Sequence, residues 1–166
     1  MAPRAASVEH RLAACVADCG SYDLYASAIG RIPKPLVGGL DTNGRRAKVL
    51  ARVLGLLAAK PTAGWAIRRG QLVHGAATPI DYLRTLREYS LIGRADRIRC
   101  PTFVCNAEHD DIGSSAPELF RALTCPKKFV TFTDVDGAGD HCEAAARSAF
   151  HDEVFAWLDP ILHPHM

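Results

Sequence analysis

A chain of 166 residues, 48% hydrophobic and 23% charged, has the composition of a globular protein and can bury about 70% of its unfolded surface. A net charge of +2, with arginines scattered rather than gathered in a stripe, implies no polyanion and so no nucleic-acid partner. No apolar run reaches the ~18 residues of a membrane span, and no uninterrupted apolar stretch follows Arg4. Neither a membrane partner nor a signal peptide is expected, and the expected location is cytoplasmic.

In chain order, residues 12–17 form a short apolar run that predicts a strand, and Asp18-Cys19-Gly20-Ser21-Tyr22-Asp23 a turn after it. The character then changes. Ile32-Pro33-Lys34-Pro35 and Val37-Gly38-Gly39 read as loop. Residues 45–60 predict a helix in which Val49, Leu50, Val53, Leu54, Leu56 and Leu57 share one broad face, stopped by Pro61. A short helical piece spans residues 65–72, and Thr78-Pro79 opens another helix carrying Tyr82, Leu83, Leu86 and Tyr89. No strand pattern, internal repeat or low-complexity tract interrupts this region. Residues 21–93 are therefore expected to be an all-helical insertion within a core made of residues 1–20 and 94–166.

Strand character returns after Pro101. Residues 102–105 form an apolar run that suits a strand buried on both faces of a parallel sheet. It ends in Glu108-His109-Asp110-Asp111. Ser114 or Ser115 offers a helix cap, and with Pro117 in the first turn residues 116–123 read as the returning helix. A strand at residues 129–133 follows and ends in Gly137-Ala138-Gly139-Asp140-His141, and residues 144–158 predict a closing helix. The expected fold class is α/β: parallel strands with flanking helices plus the helical insertion. In such sheets ligands bind at the carboxyl ends of the strands.

Six cysteines, Cys15, Cys19, Cys100, Cys105, Cys125 and Cys142, include no C-x-x-C pair, and two fall in predicted buried strands. They read as reduced thiols, with neither a disulfide framework nor a metal site expected. Cys142 lies beside His141, but adjacent residues after a strand usually point apart, which weakens a thiol-nucleophile reading.

An Asp at one strand end and a His at the next can meet across the carboxyl edge as two members of a nucleophilic triad. In that pair the carboxylate fixes the imidazole tautomer and the imidazole takes the nucleophile's proton. An Asp of the loop after residues 102–105, Asp110 or Asp111, is the candidate acid and His141 the candidate base. Asp140 and Glu143 orient the His or cap the closing helix, capping being the expected role.

The segments AEHDDIG and GAGDHCEAAA resemble the acid and histidine loops of the α/β-hydrolases, in which the order is Ser, then Asp or Glu, then His. Asp110 and His141 are the matching positions. The family's nucleophile elbow, G-x-S-x-G, is not matched at Ser7, Ser21, Ser27, Ser90, Ser114, Ser115 or Ser148. Residues 1–6 and 9–18 look like the helix just after such an elbow and the strand that follows it, so the resemblance covers the carboxyl-terminal half of the family's domain. The helical insertion looks like the family's substrate-selecting cap. Its stretch from Trp65 to Leu83 resembles capped members such as dihydroxypseudooxynicotine hydrolase and dipeptidyl aminopeptidase or acylaminoacyl peptidase-like enzymes. Trp65, His74 and Tyr82 either line a substrate pocket or form core.

The resemblance implies a serine-hydrolase-type enzyme that acts, without cofactor, on an ester, amide or carbon–carbon bond of a small molecule or peptide. Its nucleophile would come from a preceding segment or another polypeptide, and the isolated chain would be close to inert. Two other readings stay open: a non-catalytic remnant or interaction module with the same fold, and a cysteine-based redox or metal protein. The first strand would lack a neighbour on one side, so a homo-oligomer or a complementing polypeptide is the expected partner.

Overall fold

Three short apolar runs become three parallel strands. The computed structural model describes residues 1–110 and 115–163. In chain order it contains α1 (Ala2–Ala6), β1 (Cys15–Ala17), α2 (Leu24–Ile29), α3 (Lys34–Val37), α4 (Arg45–Ala58), α5 (Pro61–His74) and α6 (Pro79–Thr85). These are followed by β2 (Thr102–Ala107), α7 (Ala116–Ala122), β3 (Lys127–Phe132) and α8 (Arg147–Leu162). The chain is α/β, as its strand and helix pattern implies. It divides into two compact units, one of Met1–Asp23 with Leu91–Met166 and one of Leu24–Ser90.

The first unit holds the sheet, in the order β1-β2-β3. Cys15 to Ala17 lie opposite Thr102 to Val104, and Thr102 to Ala107 opposite Lys127 to Phe132, both in parallel register. β2 is central, and Thr102, Phe103, Val104 and Cys105 are fully buried, the burial that its uninterrupted apolar sequence requires. Its side chains alternate between two cores. Val104 packs with Ala6 of α1 and Ala116 and Leu119 of α7, while Phe103 and Cys105 pack with Phe132, Phe150 and Val154. Phe103 also meets the Trp157 ring of α8 at 5.4 Å between centroids. Both strand-end turns that follow β1 and β2 therefore open at one edge of the sheet.

The second unit is helical. Leu50 and Leu54 of α4 pack with Ile32, Leu40, Leu83 and Leu86, so the apolar face expected of residues 45–60 is narrower than its sequence suggests: Val49 and Leu56, expected on it, are exposed. Thr78 caps α6 by accepting a hydrogen bond from the Asp81 N–H at 3.1 Å. Tyr82 packs on Gly70, where an added Cβ would stand 2.3 Å from the phenol Cζ. The His74 ring meets Tyr82 at 5.4 Å and Tyr89 at 5.0 Å, whereas Trp65 is 63% exposed.

Four local expectations are corrected. Residues 32–39 are not loop throughout: α3 and a 3₁₀ turn at Gly38–Asp41 occupy part of them, because Pro35 falls in the first helical turn, where its missing N–H costs nothing. β1 starts at Cys15 rather than residue 12, and Leu12 is exposed. The closing helix starts at Arg147 and runs past Pro160. Ser115 holds the cap position of α7 without capping it; its hydroxyl accepts from the Tyr22 N–H at 2.9 Å instead. Asp111 and Ser114, the alternative acid and alternative cap, lie outside the described residues.

Candidate active site

The three strands end side by side, at Asp18-Cys19, at Glu108-His109-Asp110 and at the segment leading to His141. Short bonds lock the second and third ends together. The Glu108 N–H donates to Phe132 O at 2.9 Å and the His109 N–H to Gly139 O at 2.8 Å. The Glu108 carboxylate accepts from the Asp134 N–H at 3.1 Å, and His109 Nε2 stands 2.9 Å from the Asp134 carboxylate. That carboxylate raises the His109 pKa above its ordinary value. Gly137, at φ +68°, turns the segment in the left-handed region.

These ties bring the two sequence-predicted residues into contact. Asp110 Oδ1 lies 2.9 Å from His141 Nδ1, with the Asp110 side chain 1% exposed and the imidazole 50% exposed. A buried carboxylate against Nδ1 selects the tautomer with the proton there and leaves the Nε2 lone pair available to take a proton.

Two thiols share the site, and neither was singled out from the sequence as a site residue. Cys142 Sγ is 3.4 Å from His141 Nε2, so the expectation that adjacent side chains diverge fails here. Cys142 at φ +54° and Glu143 at φ +48° are both left-handed, which folds the backbone over and returns the sulfur to the ring. Cys19 Sγ lies 3.9 Å from His141 Nδ1. Burial, followed by the Asp110 carboxylate, pushes the Cys19 thiol up. Burial and then Asp18 and Asp110 do the same to Cys142. Both are therefore held as thiols, the opposite of an activated cysteine nucleophile.

Beneath the imidazole sits a second group of charges. Arg147 donates to Asp18 Oδ2 at 3.0 Å, to Cys142 O at 2.8 Å and to Glu143 Oε2 at 3.3 Å. Its guanidinium also lies 4.2 Å from the Phe150 ring centroid. Glu143 is fully buried, and burial together with Asp18 pushes its carboxyl up to about 7. The expected capping roles are not taken: the Glu143 carboxylate binds Arg147 four residues on, and neither Asp140 nor Ala146 caps its helical turn with a side chain. The i, i+4 spacing of Glu143 and Arg147 was readable as a helical ion pair, but Asp18 is brought to it only by the β1–β2 pairing.

Among the described residues, Asp110, Cys19 and Cys142 bring polar side-chain atoms to the His141 ring, and no serine hydroxyl does. No helix among the described residues is long and apolar enough to cross a membrane.

No family model matches the chain, and no solved structure does. Curated proteins do. The chain is 28% identical over 165 residues to the 20-hydroxy-prefusarin hydrolase FUS2 of Gibberella moniliformis, covering 93% of this chain and 39% of that protein. It is 27% identical over 163 residues to the hydrolase LUC6 of a Fusarium species, with 93% and 39% covered. It is 25% identical over 167 residues to the hydrolase acrC of Aspergillus aculeatus, with 93% and 38% covered. The chain thus spans about two-fifths of the length of these relatives, all of which are named hydrolases.

Proposed function

We propose that this chain supplies the acid and the base of a serine-hydrolase-type α/β-hydrolase, with Asp110 and His141 in those roles. The observation that carries the reading is the 2.9 Å contact between a buried Asp110 carboxylate and the Nδ1 of a half-exposed His141. Both residues stand at the carboxyl ends of adjacent parallel strands. His141 Nε2 takes the proton of a serine hydroxyl as that oxygen attacks the substrate carbon, then returns it to the leaving group. Asp110 keeps the ring oriented and stabilises the imidazolium in between.

The nucleophile and its oxyanion hole come from polypeptide beyond these residues. β1 has one sheet neighbour among the described residues, which offers its other edge to such a segment, whether in a homo-oligomer or in a complementing polypeptide. Residues 21–93 act as the cap that selects an ester, amide or carbon–carbon substrate, a small molecule or a peptide. The protein works in the cytoplasm and needs no cofactor. Hydrolysis is the reaction in the names of all three relatives, which supports this class over a redox one.

Labelling with a fluorophosphonate probe, read by intact mass, tests the proposal. The 166-residue chain should take no serine adduct. A longer polypeptide carrying the coding sequence upstream of Met1 should take one, and His141→Ala or Asp110→Asn should suppress it. An adduct on the longer polypeptide that survives His141→Ala overturns the relay. No adduct on a folded longer polypeptide favours a non-catalytic module with the same fold.

A further inference from the structure

The thiols of Cys19 and Cys142 flank one imidazole from two different loops, and nothing in the hydrolase reading uses either. Cys142 Sγ and Cys19 Sγ lie 3.8 and 3.9 Å from His141 Nδ1, and the three donor groups are within 4.8 Å of one another. In a tetrahedral zinc site, metal–sulfur bonds of about 2.3 Å and metal–nitrogen bonds of about 2.0 Å separate sulfur and nitrogen donors by about 3.5 Å. The observed spacings are close to that edge length. The fourth donor would be the Asp110 carboxylate, whose Oδ1 is 2.9 Å from the same nitrogen.

We propose that Cys19, Cys142, His141 Nδ1 and Asp110 form a binding site for a borderline-soft divalent cation of the zinc class. Two sulfurs, one imidazole and one carboxylate are a donor set that zinc takes and that magnesium and calcium, which require oxygen, do not. The ion replaces the proton between Nδ1 and Asp110. On binding, both thiols lose their protons to solvent, and the imidazole's single proton passes through solvent from Nδ1 to Nε2. Two thiolates, one carboxylate and a divalent ion leave a net charge of −1 in the cluster. Arg147, which bonds the Cys142 carbonyl and Asp18, is the cation placed beside it.

Such an ion and the catalytic relay exclude each other. The relay needs a proton on Nδ1 and a lone pair on Nε2, and the metal-bound ring has neither arrangement. The consequence for turnover rests on the hydrolase reading, but the metal site does not.

The test is titration of the reduced 166-residue chain with Co²⁺. One equivalent should produce thiolate-to-cobalt charge-transfer bands in the near ultraviolet and the intense visible bands of a tetrahedral ion. Cys19→Ser and Cys142→Ser should each abolish the charge-transfer bands or cut their intensity by about half. Cys125→Ser should leave them unchanged. A second measurement needs no variant: in the wild-type chain, one equivalent of Zn²⁺ should slow alkylation of Cys19 and Cys142 at least about tenfold, read by peptide mass. Absence of charge-transfer bands overturns the proposal. So does a spectrum indifferent to Cys19→Ser and Cys142→Ser, or zinc protection that falls on Cys15, Cys100 or Cys125 instead. Because the cobalt spectrum reads no hydrolysis and the fluorophosphonate reads no metal, each proposal can fail alone.

Discussion

The carboxylate of Asp110 meets Nδ1 of His141 at 2.9 Å although the two residues belong to different strand-end loops. The contact exists because His109 and Glu108, the two residues before the acid, are hydrogen-bonded to the His-bearing segment at Gly139 and Asp134. Position along one loop is thereby converted into position relative to the other.

Asp110→Asn should leave the fold in place and damage the relay. An amide can present its NH₂ to Nδ1 and favour the wrong tautomer, which in triad enzymes lowers turnover by about 10⁴. On the longer polypeptide, fluorophosphonate labelling should slow by roughly that order. In the 166-residue chain, the downfield proton resonance of the His141 Nδ1–H should vanish. Labelling at the wild-type rate would show that Asp110 is not the acid.

Arg147→Met should destabilise the sheet unit. The guanidinium holds Asp18 and Glu143, whose side chains are 17% and fully buried at 0% exposed, and its removal leaves two carboxyls facing each other. Because Arg147 is itself 41% exposed, the cost is discounted from the figure for fully buried pairs to about 2 kcal/mol. Urea denaturation measures it. Adding Glu143→Gln to Arg147→Met should restore part of the loss, since one of the two facing charges is gone.

Gly20→Ala should be disruptive for a steric reason. A Cβ there would stand 2.5 Å from Val104 Cγ1 and 2.8 Å from Ala116 Cβ, and the Gly20 N–H is bonded to Cys105 O at 2.9 Å. The turn after β1 cannot move away without breaking that bond. A loss of about 1–3 kcal/mol, the range for overpacking a core, is expected in chemical denaturation. Gly55→Ala, in the interior of α4 where nothing lies within 4 Å, is the control that should lose no stability.

His109 supplies the pH-dependent contact. Asp134 raises its pKa above the ordinary 6.5, so the folded state binds the proton more tightly than the unfolded chain. The stabilisation is then fully present below about 6.5 and is lost as pH rises through the folded value. Both side chains are more than half exposed, so salt should weaken the effect. A histidine NMR titration should place the His109 midpoint above the ordinary value at low ionic strength. Asp134→Asn should bring it back down, and an unchanged midpoint in that variant would contradict the assignment.

The parts of this protein readable from its residues are those that depend on local pattern. Thr102 to Cys105 is apolar without alternation, and it is the strand buried on both faces. Leu50 and Leu54 recur at helical spacing, and they form a helical core. Asp110 and His141 were identified because each follows a predicted strand, which a parallel sheet carries to one edge, and because their loops resemble the acid and histidine loops of the α/β-hydrolases.

What the tertiary structure alone decided are contacts between residues with no periodic relationship. Asp18 joins Glu143 and Arg147, and Cys19 joins His141, because β1 pairs with β2 in a register that hydrogen bonding across strands sets. Cys142 turns back onto its neighbour because two consecutive non-glycine residues take left-handed backbone, a conformation that local propensity disfavours and only surrounding contacts can hold. Amino-acid order determined which side chains reach the carboxyl edge of the sheet. The packing of three loops there decided which of them touch.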